Sequence, residues 1–213
     1  MQVEFPKEED FELLSYYKLG VEAYEAKSYK DAIKYFTSAI ELNPANSAPY
    51  YGRGNANEDA GFDVEAESDY LDAVKLQPTN SSNWARLGLL YAKRQDFEKA
   101  IMLLKKALEM SSKVLGKMLA SDGRSNWLVI TRQVILGNLG NFLGQTGRYS
   151  EAIEYLEQAI DFDPSYSNPY ASKGIILLQN GYIDIGKEFV QRAAELGDAR
   201  AKLLLPNIDS MFK

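Results

Sequence analysis

The chain of 213 residues contains no histidine and no cysteine. Without cysteine no disulfide can form and no thiolate can attack or bind metal. Without histidine there is no imidazole base, so Ser-His and Cys-His activation are both excluded. With both absent, the usual zinc ligand sets shrink to carboxylates, and neither a metal nor a cofactor is expected. A phosphate-binding loop is missing too: Gly54 and Gly61 are followed by no Lys-Ser/Thr pair, and no strand precedes them. Catalysis by Lys, Tyr or a carboxylate is formally left, but repeats use almost the whole chain, and the reading is of a protein that is not an enzyme. No basic stripe is visible and the net charge is -6, which argues against nucleic acid as a partner. No run of eighteen apolar residues exists to cross a membrane. The first ten residues lack the basic-then-apolar pattern of a signal peptide, so a cytoplasmic location is expected unless a leader has been removed.

What is present is a repeat. Tyr29-Lys30-Asp31-Ala32-Ile33-Lys34-Tyr35-Phe36 through Asn43-Pro44 has a close echo in Tyr149-Ser150-Glu151-Ala152-Ile153-Glu154-Tyr155-Leu156 through Asp163-Pro164. The spacing Ala-x3-large-x2-Ala places five units at 13–46, 47–80, 81–114, 133–166 and 167–200, each thirty-four residues long. Eighteen extra residues, 115–132, separate the third unit from the fourth. Every unit reads as two amphipathic helices of period 3.6. In the first helix a large anchor, an aliphatic, a small residue and a second large residue recur, as Trp84, Leu87, Gly88 and Tyr91 or Leu136, Leu139, Gly140 and Leu143. The second helix carries small-large-small, as Ala32, Phe36, Ala39 or Ala66, Tyr70, Ala73. Pro44, Pro78 and Pro164 stop second helices. Gly61, Gly147 and Gly181 fall where a left-handed cap is needed. Ser28-x-x-Asp31 reads as a loose capping box.

This pattern resembles the tetratricopeptide repeat family over roughly residues 13 to 200. The resemblance implies an all-α fold: a right-handed α-solenoid of helix-turn-helix repeats, an alpha-alpha superhelix in which each unit touches only its neighbours. The departures carry information. Arg53 and Asn57 occupy two usually apolar positions, which predicts looser packing in the second unit. Ser112 replaces a terminating proline, and Gly186 replaces the usual alanine. The run Ala193 to Lys202 looks like the related Sel-type repeat, with Asp198 to Leu205 as a capping helix closed by Pro206 and a frayed tail from Ile208. Residues 1–12 read as an acidic tail or cap.

The family lines a concave groove with its first helices. Carried over position by position, that groove takes Tyr17, Lys18, Val21, Tyr24 and Glu25, then Tyr51, Asn55, Glu58 and Asp59, then Arg86, Leu89 and Lys93. Asn138, Asn141, Gln145, Ser172, Ile175 and Gln179 follow. The amides suit the N–H and C=O of an extended peptide, and Arg86 with Lys93 suits a carboxylate. The five-residue clamp of the family's heat-shock co-chaperones is not reproduced. Its positions hold Tyr17, Val21, Gly52, Ser82 and Arg86, and only Arg86 agrees. In the insertion, Val114, Leu115, Met118 and Leu119 continue one helix and Trp127, Leu128 and Ile130 start the next early, predicting a projecting hairpin. Two readings of it stay open: the extensions pack on each other, or Met118 and Trp127 form a second interface.

The functional reading is a protein–protein interaction scaffold or adaptor that holds a peptide or helical segment of a partner protein in the groove. The alternative is a self-associating module that forms homo-oligomers.

Overall fold

A computed structural model describes residues 8–114 and 130–211 of the chain. The regular structure among these residues is all helical. Helices pair as hairpins: α1 (Glu8–Glu25) with α2 (Tyr29–Leu42), α3 (Ser47–Asp59) with α4 (Asp63–Leu76), α7 (Arg132–Gln145) with α8 (Tyr149–Phe162), and α9 (Ser167–Gln179) with α10 (Ile183–Glu195); α5 (Ser81–Lys93) and α6 (Phe97–Val114) come between α4 and α7 in the chain. After them come the short α11 (Ala199–Leu204), a 3₁₀ turn (Leu205–Asn207) and α12 (Ile208–Met211). The chain forms two compact units, Met1–Leu90 and Tyr91–Lys213.

Within a hairpin the small residue of the first helix meets the large residue of the second. A Cβ placed on Gly20 would lie 2.7 Å from the Phe36 ring, and one on Gly54 would lie 2.6 Å from Tyr70. Gly140 faces Leu156 at 2.5 Å and Gly174 faces Val190 at 2.7 Å in the same way. No real Cβ tolerates such distances, so the glycines permit the close approach of the two backbones. Phe36 is used twice, because Gly52 of the following hairpin would also meet it, at 2.6 Å. Its ring is fully buried between two helices of successive repeats.

The turn inside each hairpin is closed by a left-handed residue. Gly61, Gly147 and Gly181 supply it with φ of 87°, 80° and 84°. Lys27 and Gln95 stand at the same repeat position with φ of 59° and 64°. The backbone bonds are those of a Schellman cap, for example Phe62 N to Asn57 O at 2.8 Å and Gly61 N to Glu58 O at 3.1 Å.

Several expectations change. α1 starts at Glu8, so part of the acidic segment is helical. Ser28 Oγ donates to Asp31 Oδ2 at 2.7 Å and caps no backbone N–H. α6 does run on, to Val114, in the absence of a proline. α7, however, begins only at Arg132, since Thr131 is its N-cap with extended backbone (φ -72°, ψ 156°). Ile130 is not helical, so α7 does not start early; Met118 and Trp127 lie outside the described residues. At the C-terminus Asp198 Oδ1 caps α11 by accepting from Ala201 N at 2.9 Å. Pro206 does not end the helical path but sits in the first turn of the 3₁₀ segment, where a missing N–H costs nothing. Ile208 is then not frayed but fully buried against Ala171, Leu178, Val190 and Ala193.

Gly140→Leu is expected to destabilise the second unit by about 1–3 kcal/mol or more through overpacking, because the Ala152 carbonyl oxygen, 2.9 Å from the new Cβ, cannot step aside. Gln95→Gly is expected to stabilise it by up to about 1 kcal/mol by relieving left-handed strain. Urea unfolding followed by circular dichroism measures both.

Candidate functional site

In the first unit a set of hydroxyls, carboxylates and one guanidinium converges from α1, α3, α4 and α5. On α3 the side chains of Tyr51, Asn55 and Glu58 fall on one face at helical spacing. Tyr51 is 3% exposed and Asn55 1%, so both belong to the core rather than to an open surface. The Tyr51 ring packs on that of Tyr70 with centroids 6.1 Å apart. Tyr70 Oη lies 2.8 Å from Asn55 Oδ1 and 2.7 Å from Glu58 Oε2. A hydroxyl has one proton, and the carboxylate is the stronger acceptor. Turning the Asn55 amide so that its NH₂ faces Tyr70 Oη satisfies both groups, and gives a partner to an Nδ2 that otherwise has none.

Arg86 approaches this cluster from α5. Its Nε donates to Tyr51 Oη at 3.4 Å, its single hydrogen bond among the described residues. Burial works against its charge, but the Tyr51 and Tyr70 hydroxyls and the Glu58 carboxylate hold its pKa above the ordinary value, so it is a guanidinium at any working pH. Tyr24 on α1 donates to Asp59 Oδ2 at 2.6 Å. Burial, then this bond, pushes the Tyr24 hydroxyl well up. Burial also pushes Tyr17 up to about 12, with Tyr51 as the smaller cause. None of these phenols ionises near neutrality; they act as hydrogen-bonding groups.

The remaining predicted residues of this unit do different things. Val21 packs beside Phe36 and Ala56. Lys18 is exposed and reaches Glu22 one turn on, at 3.7 Å. Leu89 is half-buried. In the second unit Lys93 is exposed. Asn138 is spent on its own helix, donating to the Val134 carbonyl at 2.9 Å. Asn141 lines a cleft of about 220 Å³ whose walls also include Gln145, Tyr149, Ser172, Ile175 and Gln179.

The side of α3 opposite Tyr51 holds what sequence reasoning took for loose packing. Arg53 grips Asp69 of α4 with Nε at 3.1 and 3.2 Å and Nη2 at 2.7 Å. Asn57 Nδ2 donates to the same carboxylate at 2.9 Å. Arg53 Nη1 donates to Thr37 Oγ1 at 3.0 Å, which ties in α2. Burial pushes the Asp69 carboxyl up, and the bonds from Arg53 and Asn57 oppose that. The two polar substitutions are therefore one network, and its acidic member, sixteen residues from Arg53, was the missing signal.

Family models described as tetratricopeptide repeat match residues 17–81, 81–114 and 134–166. The chain belongs to the tetratricopeptide repeat family. Solved repeat structures agree with the fold. A structure titled for the functional characterisation of pilF of Pseudomonas aeruginosa covers 97% of this chain and 86% of its own, at a TM-score of 0.79 and 17% identity. YrrB, described as a TPR protein with an unusual peptide-binding site, covers 94% of this chain and 95% of its own, at 0.68 and 18%. Among curated relatives, the probable SPINDLY N-acetylglucosaminyltransferase of Hordeum vulgare is 21% identical over 78% of this chain, and Tetratricopeptide repeat protein 6 of Homo sapiens is 23% identical over 83%. The heat shock protein STI1 of Saccharomyces cerevisiae is 33% identical over 46%. The chain spans only 16%, 38% and 17% of these three proteins. No described helix is long and apolar enough to cross a membrane.

Removing Arg53 alone leaves the buried Asp69 carboxylate without its cation, with only the Asn57 amide to answer it. Arg53→Ala is expected to lower stability by about 3 kcal/mol, while Arg53→Leu/Asp69→Leu, which removes both charges, stays within about 1–2 kcal/mol of the parent. Chemical denaturation of the three proteins checks this; equal losses for the single and double variants would show that the network is a surface ion pair of little weight.

Proposed function

We propose that the repeats form a non-catalytic protein-interaction scaffold, and that the face carrying Arg86 captures an acidic segment of a partner protein. The observation that carries this is the Arg86 donor count. A guanidinium offers five N–H groups, and among the described residues one long hydrogen bond occupies it. It is held in place by Tyr51, whose ring is fixed by Tyr70, so its conformational freedom is already reduced before a ligand arrives. A carboxylate is the group that fits a planar fork with unused donors. Tyr24 and Tyr17 at the same cluster add rigid aromatic area at low entropic cost. Among the relatives, SPINDLY and the human TMTC3 have transferase names, but this chain spans 16% and 18% of them. A repeat array that accompanies a catalytic domain fits a binding role as well as one that stands alone.

The test is selection from a random peptide display library, followed by titration of the enriched peptides. Acidic sequences are expected to be enriched, and Arg86→Gln is expected to weaken them by about 10- to 100-fold, the worth of a charge-assisted hydrogen bond at roughly 1.5–3 kcal/mol. Tyr51→Phe, which keeps the buried ring, should weaken them less. Enrichment of neutral or basic peptides, or indifference of a folded Arg86→Gln, sinks the reading.

A further inference from the structure

The cleft in the second unit has a chemistry of its own. It lies against α7 and α9, with Asn141 and Gln145 on the first and Ser172 and Gln179 on the second. A quarter of the chain is charged, yet no charged residue lines this cleft among the described residues. The nearest lysine in sequence, Lys173, is engaged elsewhere, with Glu157 at 2.6 Å and over the Phe189 ring at 4.4 Å. Ser172 is only 4% exposed, and its hydroxyl has no hydrogen-bond partner among the described residues. A serine on a helix usually bonds the carbonyl one turn back, so an unpaired and buried hydroxyl in the wall of a cleft is unusual. The amides of Asn141, Gln145 and Gln179 make no side-chain hydrogen bond among the described residues, whereas Asn138 and Asn180 are each spent on a carbonyl of their own helix. Ile175 and Ile176 supply the apolar part of the wall.

The choice of ligand follows by elimination on these facts. A charged group would meet no counter-charge among the described wall residues. A purely apolar group would strip water from the Asn141, Gln145 and Gln179 amides and leave them unpaired. A neutral carboxamide satisfies both limits, because it both donates and accepts and each wall amide can answer it in kind. The volume suits one side chain and not a helix. We infer that this cleft is a neutral subsite that takes the carboxamide side chain of a glutamine or asparagine from an extended peptide. It stands apart from the Arg86 reading and does not need it.

The test titrates the ¹⁵N-labelled protein with N-acetyl-glutamine methylamide and with the glutamate, lysine and leucine counterparts. Saturable shifts of the Asn141, Gln145 and Gln179 side-chain NH₂ signals with the glutamine compound, and weaker ones with the other three, are expected. Gln179→Leu, at an exposed position, should weaken the response roughly tenfold, about one hydrogen bond. Arg86→Gln should leave it unchanged, which separates a failure here from a failure of acidic-peptide capture. Equal shifts with leucine or glutamate, or an undiminished response in the folded Gln179→Leu protein, overturn the assignment.

Discussion

Everything in the hairpins rests on one contact: a glycine of the first helix pressed against a large side chain of the second. Gly20 with Phe36, Gly54 with Tyr70, Gly140 with Leu156 and Gly174 with Val190 set how near the two backbones come. The large residue is then fully buried without any flexible packing around it. Because Phe36 also touches Gly52, the same ring fixes the spacing between one hairpin and the next. Tyr70 shows how structure passes into function. Its ring fills the place that Phe36 fills one repeat earlier, while its hydroxyl reaches Asn55 and Glu58 and so shapes the surroundings of Arg86.

Polar groups in this protein are consequently not confined to its surface. Tyr51, Asn55, Asp69, Asn57 and Ser172 are all buried. Most are matched: Asp69 by Arg53 and Asn57, Tyr70 by Glu58. Where matching fails among the described residues, at Gln133 Oε1, Asn168 Oδ1 and the Ser172 hydroxyl, the unmet hydrogen bonds lie on first helices of the repeats, α7 and α9. A protein interior tolerates such gaps poorly, and a partner that fills them gains what the fold left unsatisfied.

The helices and their phase were legible in the residues because alanine, glycine and one large side chain recur at fixed spacing and report the contact that builds each hairpin. Turn residues were legible as well, though only where glycine supplied them; Lys27 and Gln95 adopt the same left-handed backbone without announcing it. The site was read less well. Tyr51 and Asn55 fall on the face assigned to the groove, but an inner helix of a repeat array has neighbours on two sides, and these two were enclosed by Tyr70 and Arg86. Arg53 and Asn57 looked like defects because their partner sits on another helix, and no single-helix pattern pairs residues across a turn. Ile208 looked like part of a tail because one buried residue in a polar segment has no periodicity to betray it.

The Arg53–Asp69 pair has a consequence for how the repeats find one another. In the other repeats the position of Arg53 holds Leu19, Leu87, Leu139 or Lys173, and that of Asp69 holds Tyr35, Leu103, Tyr155 or Phe189. Hairpins built of such similar parts invite mispairing, in which a second helix docks on the wrong first helix of its own chain or of a neighbour. α4 is protected against that error: on Leu19, Leu87 or Leu139 its carboxylate would be buried with no cation to receive it. One charged pair thus acts as an address for α4 against the three repeats that offer it a leucine.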